Sequence, residues 1–253
     1  MRTGDIDAPP APARVGIWGC PIAAVPPAVD AFRVRFRAGH PPSPLTGWRH
    51  FAAILALACV ATSVSFWMAR GAAWWEWAAL PAGFLIANFV EWLAHSRPMH
   101  HLWRPLAIMY EKHTLEHHRF FTHESMEAES DKDFDMVLFS PGSLAFFLLG
   151  TGLPVAALFF GFVSWNAGWL FVALAVDYYA LYECFHLAYH LPEDSAVGRL
   201  PGMARLRRHH THHHDETLMA HWNFNVNFPV FDAVMGTHWE LARGRSPRGR
   251  RER

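Results

Sequence analysis

Nineteen consecutive uncharged residues, 51–69, are the tightest constraint on what this 253-residue chain can fold into. A run of that length matches the roughly 20 apolar residues an α-helix needs to cross a hydrocarbon core. Three more apolar stretches follow. Residues 72–94 form a second, interrupted by Glu76, Pro81, Gly83 and Glu91. Residues 136–163 form a third with no charge at all; as a straight helix it would measure about 42 Å, so its start is expected to lie along the interface. Residues 168–189 form the fourth, with Asp177 and Glu183 toward its end. Buried helices of a soluble protein would explain one such run, but four runs in a chain with 17% charged residues read as membrane spans.

The connections give a topology. Spans one and two are joined by little more than Arg70 and Gly71, and spans three and four by 164–167, so two tight, nearly uncharged turns share one side. The opposite side receives Arg33, Arg35, Arg37 and Arg49 before span one, and Arg243, Arg245, Arg248, Arg250, Arg251 and Arg253 at the end. The positive-inside rule places both termini and the middle loop in the cytoplasm of a multi-pass integral membrane protein. Residues 1–45, rich in Pro, Ala and Arg, read as a disordered tail, 46–240 as the transmembrane domain and 241–253 as a basic C-terminal tail. Formal net charge is zero, which argues against a nucleic-acid partner. Cys20, Cys59 and Cys184 are too scattered for a disulfide framework or a thiolate metal site.

Eighteen histidines are the compositional anomaly, and most fall in short clusters on the expected cytoplasmic side. His95 and His100 form HxxxxH; His113, His117 and His118 form HxxxHH; His186 and His190 form HxxxH; His210, His213 and His214 form HxxHH. Residues at i, i+3 and i+4 share a helix face, so HxxxH and HxxHH can each aim imidazoles at one point. An adjacent pair is splayed by about 100°, which suits two neighbouring metals. The i, i+5 spacing of His95 and His100 is about 140° on an ideal helix, so either the helix breaks near Pro98 or the two serve different ions. Ten histidines exceed the needs of one ion and match two with about five ligands each. Nitrogen ligation suits iron, zinc, copper or nickel. His40, His50 and His238 read as isolated.

The pattern HX(3–4)H, HX(2–3)HH, HX(2–3)HH, with an additional HxxxH from the fourth span, resembles the histidine boxes of the fatty acid hydroxylase/sterol desaturase superfamily. The segment 223–237, with Asp232 after Phe231 and Gly236-Thr237 at its end, resembles that family's closing motif. The resemblance covers about 50–240. It implies an all-α membrane protein, four transmembrane helices in two hairpins under a cytoplasmic helical cap. The cap would hold a dinuclear metal site with His95, His100, His113, His117, His118, His186, His190, His210, His213 and His214 as ligands. Two departures stand out: the second box is HxxxHH where many hydroxylases have HxxHH, and His101, His209 and His212 could each replace a ligand by a short shift.

Metal-bound imidazoles usually donate their second N–H to a carboxylate or carbonyl. Asn88, Glu91 and His95 share one helical face, as do Glu183, His186 and His190, and intramembrane acids normally have a partner. Glu91 and Glu183 are therefore expected to orient imidazoles, with Asn88 beside them; Asp232 reads equally as a helix or turn anchor. The implied function is dioxygen-dependent hydroxylation of a lipid C–H bond at two iron ions (zinc being possible as the ion found on purification). The lipid would enter from the bilayer between spans two and four. Electrons would come from a separate reductase, ferredoxin or cytochrome, since the chain has no dinucleotide-binding glycine motif, iron–sulfur cysteines or haem domain. Lipid desaturation on the same site is the alternative. A divalent-metal transporter is the rival from another class, and it predicts ligands near the bilayer midplane, not gathered at helix ends.

Overall fold

A computed structural model describes residues 16–19, 22, 24–41 and 45–245. Among the described residues the chain is helical, and its sole β-type pairing is an isolated bridge between Thr122 and Ser125. Within the stretch 1–45, the described residues include a 3₁₀ turn (Ile17–Gly19) and one helix. Helix α1 (Pro27–Gly39) has proline in its first turn, where a fixed φ and a missing N–H cost nothing. Phe32 and Phe36, one turn apart, pack against the cluster around Phe120, and Arg33 between them is fully buried. Residues 1–15, 20, 21, 23 and 42–44 of that expected tail lie outside the described residues, Cys20 among them, as do the arginines at 248–253.

Four helical stretches are long and apolar enough to cross a membrane: Gly47–Met68, Trp74–Met99, Asp131–Phe162 and Trp165–Tyr189. They coincide with the four apolar runs. The first is helix α2 (Gly47–Met68). The second combines a 3₁₀ turn (Trp74–Ala78), helix α3 (Ala79–Ala94) and a π turn (His95–Met99). Short helices α4 (Ala107–Tyr110) and α5 (His118–Phe120) flank another π turn (Glu111–His117) before the third stretch. That stretch comprises a 3₁₀ turn (Asp131–Met136), α6 (Pro141–Phe147), a π turn (Leu148–Gly152) and α7 (Leu153–Phe162). The fourth is α8 (Trp165–Tyr189), followed by α9 (Met203–His213), α10 (Val230–Met235) and α11 (Trp239–Arg245).

Helix α8 is the hub: half of its apolar window is buried, against 22% or less for the other three, and it packs on α2, α3 and α7. Gly83 lets α3 approach it closely, since a Cβ there would lie 2.6 Å from Leu174 and 3.0 Å from Phe171. Two polar links tie the spans. Thr62 donates to Asp177 at 2.6 Å, joining α2 to α8 and occupying that acid away from the histidines. Glu76 accepts from the Ala73 amide at 2.6 Å, from Asn166 at 3.0 Å and from the Ser164 hydroxyl. That carboxylate brings the starts of the second and fourth stretches together, while the histidines of both lie at their other ends.

Candidate metal centre

All ten histidines of the four clusters are buried and converge as two groups of five. Group one is His95, His100, His113, His118 and His213; group two is His117, His186, His190, His210 and His214. Within each, the candidate ligand nitrogens lie within 4.8 Å of one another. His101, His209 and His212 fall outside both groups, and His40 stacks on Phe36 at the surface.

Local helix geometry explains the allotment. His186 and His190, and likewise His210 and His214, are one α-helical turn apart and share group two. His95 and His100, five apart, share group one because the π turn between them closes i→i+5 hydrogen bonds and brings that spacing onto one face. The same device pairs His113 with His118 across the second π turn. The departure in the second box is thus accommodated by backbone winding. Adjacent pairs divide, His117 from His118 and His213 from His214, as the splay of neighbouring side chains requires.

Hydrogen bonding then decides what lies between the rings. The Nδ1 atoms of His117, His190, His213 and His214 meet the carbonyls of Met136, Met126, Trp222 and Phe121 at 2.6, 2.7, 3.0 and 2.6 Å, and His95 meets that of Phe224. A carbonyl only accepts, so each ring donates its single N–H there and presents a bare lone pair at Nε2. His100 Nδ1 lies 3.2 Å from the Thr114 hydroxyl, whose own proton goes to the Met99 carbonyl at 2.6 Å, with the same result. Nε2 of His100 and of His213 are nevertheless 3.0 Å apart, and those of His117 and His214 are 3.2 Å apart. Neither contact can hold a proton, so they are lone pairs facing lone pairs. The Nε2 of His190 has no protein partner at all. A cation in each group satisfies these atoms, and the residues fit one.

Burial, reinforced by neighbouring imidazoles, holds His100, His113, His118, His190, His210 and His214 well below the usual histidine range. Burial brings His117 down to about 4, and burial with a smaller push from His209 and His117 brings His213 down to about 4. These eight are neutral at pH 7, the form in which imidazole binds metal.

The carboxylates act one step further from the rings than the sequence reading places them. Neither Glu91 nor Glu183 bonds a histidine. Glu91 accepts from the amides of Val226 and Asn227 and from the Tyr178 hydroxyl, and Glu183 accepts from the Phe139 amide at 3.1 Å. Asn88 donates to the Phe228 carbonyl at 2.8 Å and accepts from the Phe231 amide at 3.2 Å. Asp232, fully buried, accepts from the amides of Phe224 and Asn225 at 2.9 and 2.8 Å, from Thr237 at 2.7 Å and from His209 at 3.1 Å. These side chains hold turns, and carbonyls of the turns hold the imidazoles. A carbonyl belongs to every residue, so no motif could have revealed them.

Beneath group one lies an apolar cavity of about 360 Å³. Ile54 and Ala58 of α2, Val90 of α3, Phe147 of α6 and Tyr182 of α8 line it, and His95 and Met99 form its histidine end. The cavity is lined by residues of all four apolar stretches.

No protein-family model matches the sequence, and no curated protein matches it. A solved structure of full-length Scs7p, in which only the hydroxylase domain is visible, is similar to it with a TM-score of 0.55 at 18% identity, covering 79% of this chain and 70% of that one. This chain has the fold of the Scs7p hydroxylase domain.

Proposed function

We propose that this chain is an integral-membrane oxygenase that holds two iron ions and hydroxylates a lipid C–H bond. The observation that carries the reading is the pair of five-histidine groups with inward-facing lone pairs, one of which ends the apolar cavity. The neighbour's description as a hydroxylase supports it. The five histidines of each group would be the ligands of one ion, and bound iron would supply the dioxygen-activating chemistry. The overall change is R–H + O₂ + two electrons + two protons → R–OH + H₂O, the electrons coming from a separate protein donor.

The chain's own part is positional. Helices α2, α3 and α8, with the third apolar stretch, supply a dry wall that takes an acyl chain or ring system from the bilayer and excludes water. The carbonyls of Phe121, Met126, Met136, Trp222 and Phe224 fix ring orientation and keep Nε2 as the ligand atom. Both termini and the histidine groups are assigned to the cytoplasmic side by the arginine distribution.

Metal analysis of the detergent-purified, iron-supplemented full chain tests this, beside a His213→Ala/His214→Ala variant that removes one ligand from each group. The expected result is two ions per chain in the wild type, a sharp loss in the variant, and a lipid product carrying one oxygen atom from ¹⁸O₂. A desaturated product without added oxygen would replace hydroxylation by desaturation. One ion or none, unaffected by the variant, would refute the reading.

A further inference from the structure

The carbonyls that hold the two histidine groups belong to different pieces of backbone. In group one, His95 and His213 donate to the carbonyls of Phe224 and Trp222, in the turn that Asp232 and Glu91 hold. In group two, His214, His190 and His117 donate to Phe121, Met126 and Met136, all in the segment between α5 and α6. That segment is clamped from outside the four spans, by α1. The fully buried Arg33 donates through Nε to the Phe120 carbonyl and through Nη2 to the Ser125 carbonyl, both at 2.8 Å, and pairs with Glu129 at 3.0 Å. Each of those carbonyls immediately precedes one that holds an imidazole: Phe120 before Phe121, Ser125 before Met126. Arg37 extends the clamp, gripping Asp133 with two bonds at 2.9 and 2.8 Å at the start of the turn that ends in Met136.

We propose that Arg33 is a positioning residue for the group-two metal: its guanidinium, anchored on α1, fixes the backbone carbonyls that orient His214 and His190. The proposal rests on the metal-centre reading above. Its geometry is specific to arginine, because a planar fork can bridge two carbonyls and a carboxylate at once, whereas a lysine ammonium offers one point of attachment. Group one makes no contact with Arg33, so the two ions should respond differently to its loss.

The test uses the full-length, iron-loaded protein in detergent. Wild type, Arg33→Lys and Arg33→Ala are compared for ions bound per chain and for the rate at which a chelator removes each ion, with circular dichroism as the check on folding. Loss of an outer support of a metal ligand typically weakens binding by about 10- to 100-fold. Arg33→Lys, which keeps the charge opposite Glu129, is expected to stay folded and to release one ion roughly 10-fold or more faster while the other is unchanged. Site assignment follows from double variants: Arg33→Ala is expected to lose the group-two ion, so adding His210→Ala to it should cost no further metal, whereas adding His118→Ala should remove the remaining ion. Two ions with wild-type release in Arg33→Lys would overturn the proposal and leave the metal centre standing, as would equal weakening of both ions. A wild-type protein that binds no iron would overturn the metal centre and the proposal with it.

Discussion

Asp232 has no contact with solvent and accepts four hydrogen bonds, two from amides in the turn whose Phe224 and Trp222 carbonyls hold His95 and His213. Asp232→Asn keeps one oxygen, which can continue to accept from the Phe224 amide and Thr237, both of which meet Oδ1. The new NH₂ then faces the Asn225 amide and His209, both of which meet Oδ2. His209 can change tautomer and accept, but the amide cannot, so one buried donor is stranded at a cost of about 1–3 kcal/mol. At roughly 2–4 °C per kcal/mol for a chain of this size, the melting midpoint followed by tryptophan fluorescence should fall by about 2–12 °C. The displaced turn should loosen group one alone, so chelator competition should show one ion bound about 10- to 100-fold more weakly. This is the mirror image of the Arg33 result, and the two defects should combine additively, because their supports share no residue. Wild-type melting together with wild-type retention of both ions would refute the argument that Asp232 supports the centre through the turn.

Two further perturbations test the scaffold and the cavity. Gly83→Ala places a methyl 2.6 Å from Leu174 and 3.0 Å from Phe171, so α3 must shift from α8; overpacking of this kind costs about 1–3 kcal/mol, and a lowered melting midpoint with both ions retained is expected. An unchanged midpoint would show that the helix contact is not tight. Ala175→Phe adds a ring to the wall of the apolar cavity; mass spectrometry of the purified variant should find less co-purifying lipid and less oxygenated product, with two ions still bound. Undiminished lipid and product would place the substrate elsewhere.

Much of this was legible in the chain because it follows from local physics. A charge-free run of membrane length is helical in a bilayer, since hydrocarbon leaves the backbone of a single span no other partner. The four histidine clusters announced a metal-binding surface because spacing along one helix sets which rings can converge. The division of His117 from His118 and of His213 from His214 between the two groups follows from the same geometry. The HxxxxH spacing left a choice between a broken helix and separate ions, and the π turn at His95–Met99 resolves it by rewinding the backbone. In α1, Pro27 in the first turn and Phe32 and Phe36 at helical spacing were visible, but composition pointed to disorder; only the surface around Phe120 gives that helix something to pack against.

The tertiary structure alone decided how the rings are held. Glu91 and Glu183 were visible as costly intramembrane acids on the same helical faces as histidines, yet the amides they serve come from turns remote in sequence. The carbonyls that select the Nδ1–H form of five imidazoles belong to Phe121, Met126, Met136, Trp222 and Phe224. Their side chains carry no trace of that role, because an acceptor common to every residue acquires a function only from where the chain places it.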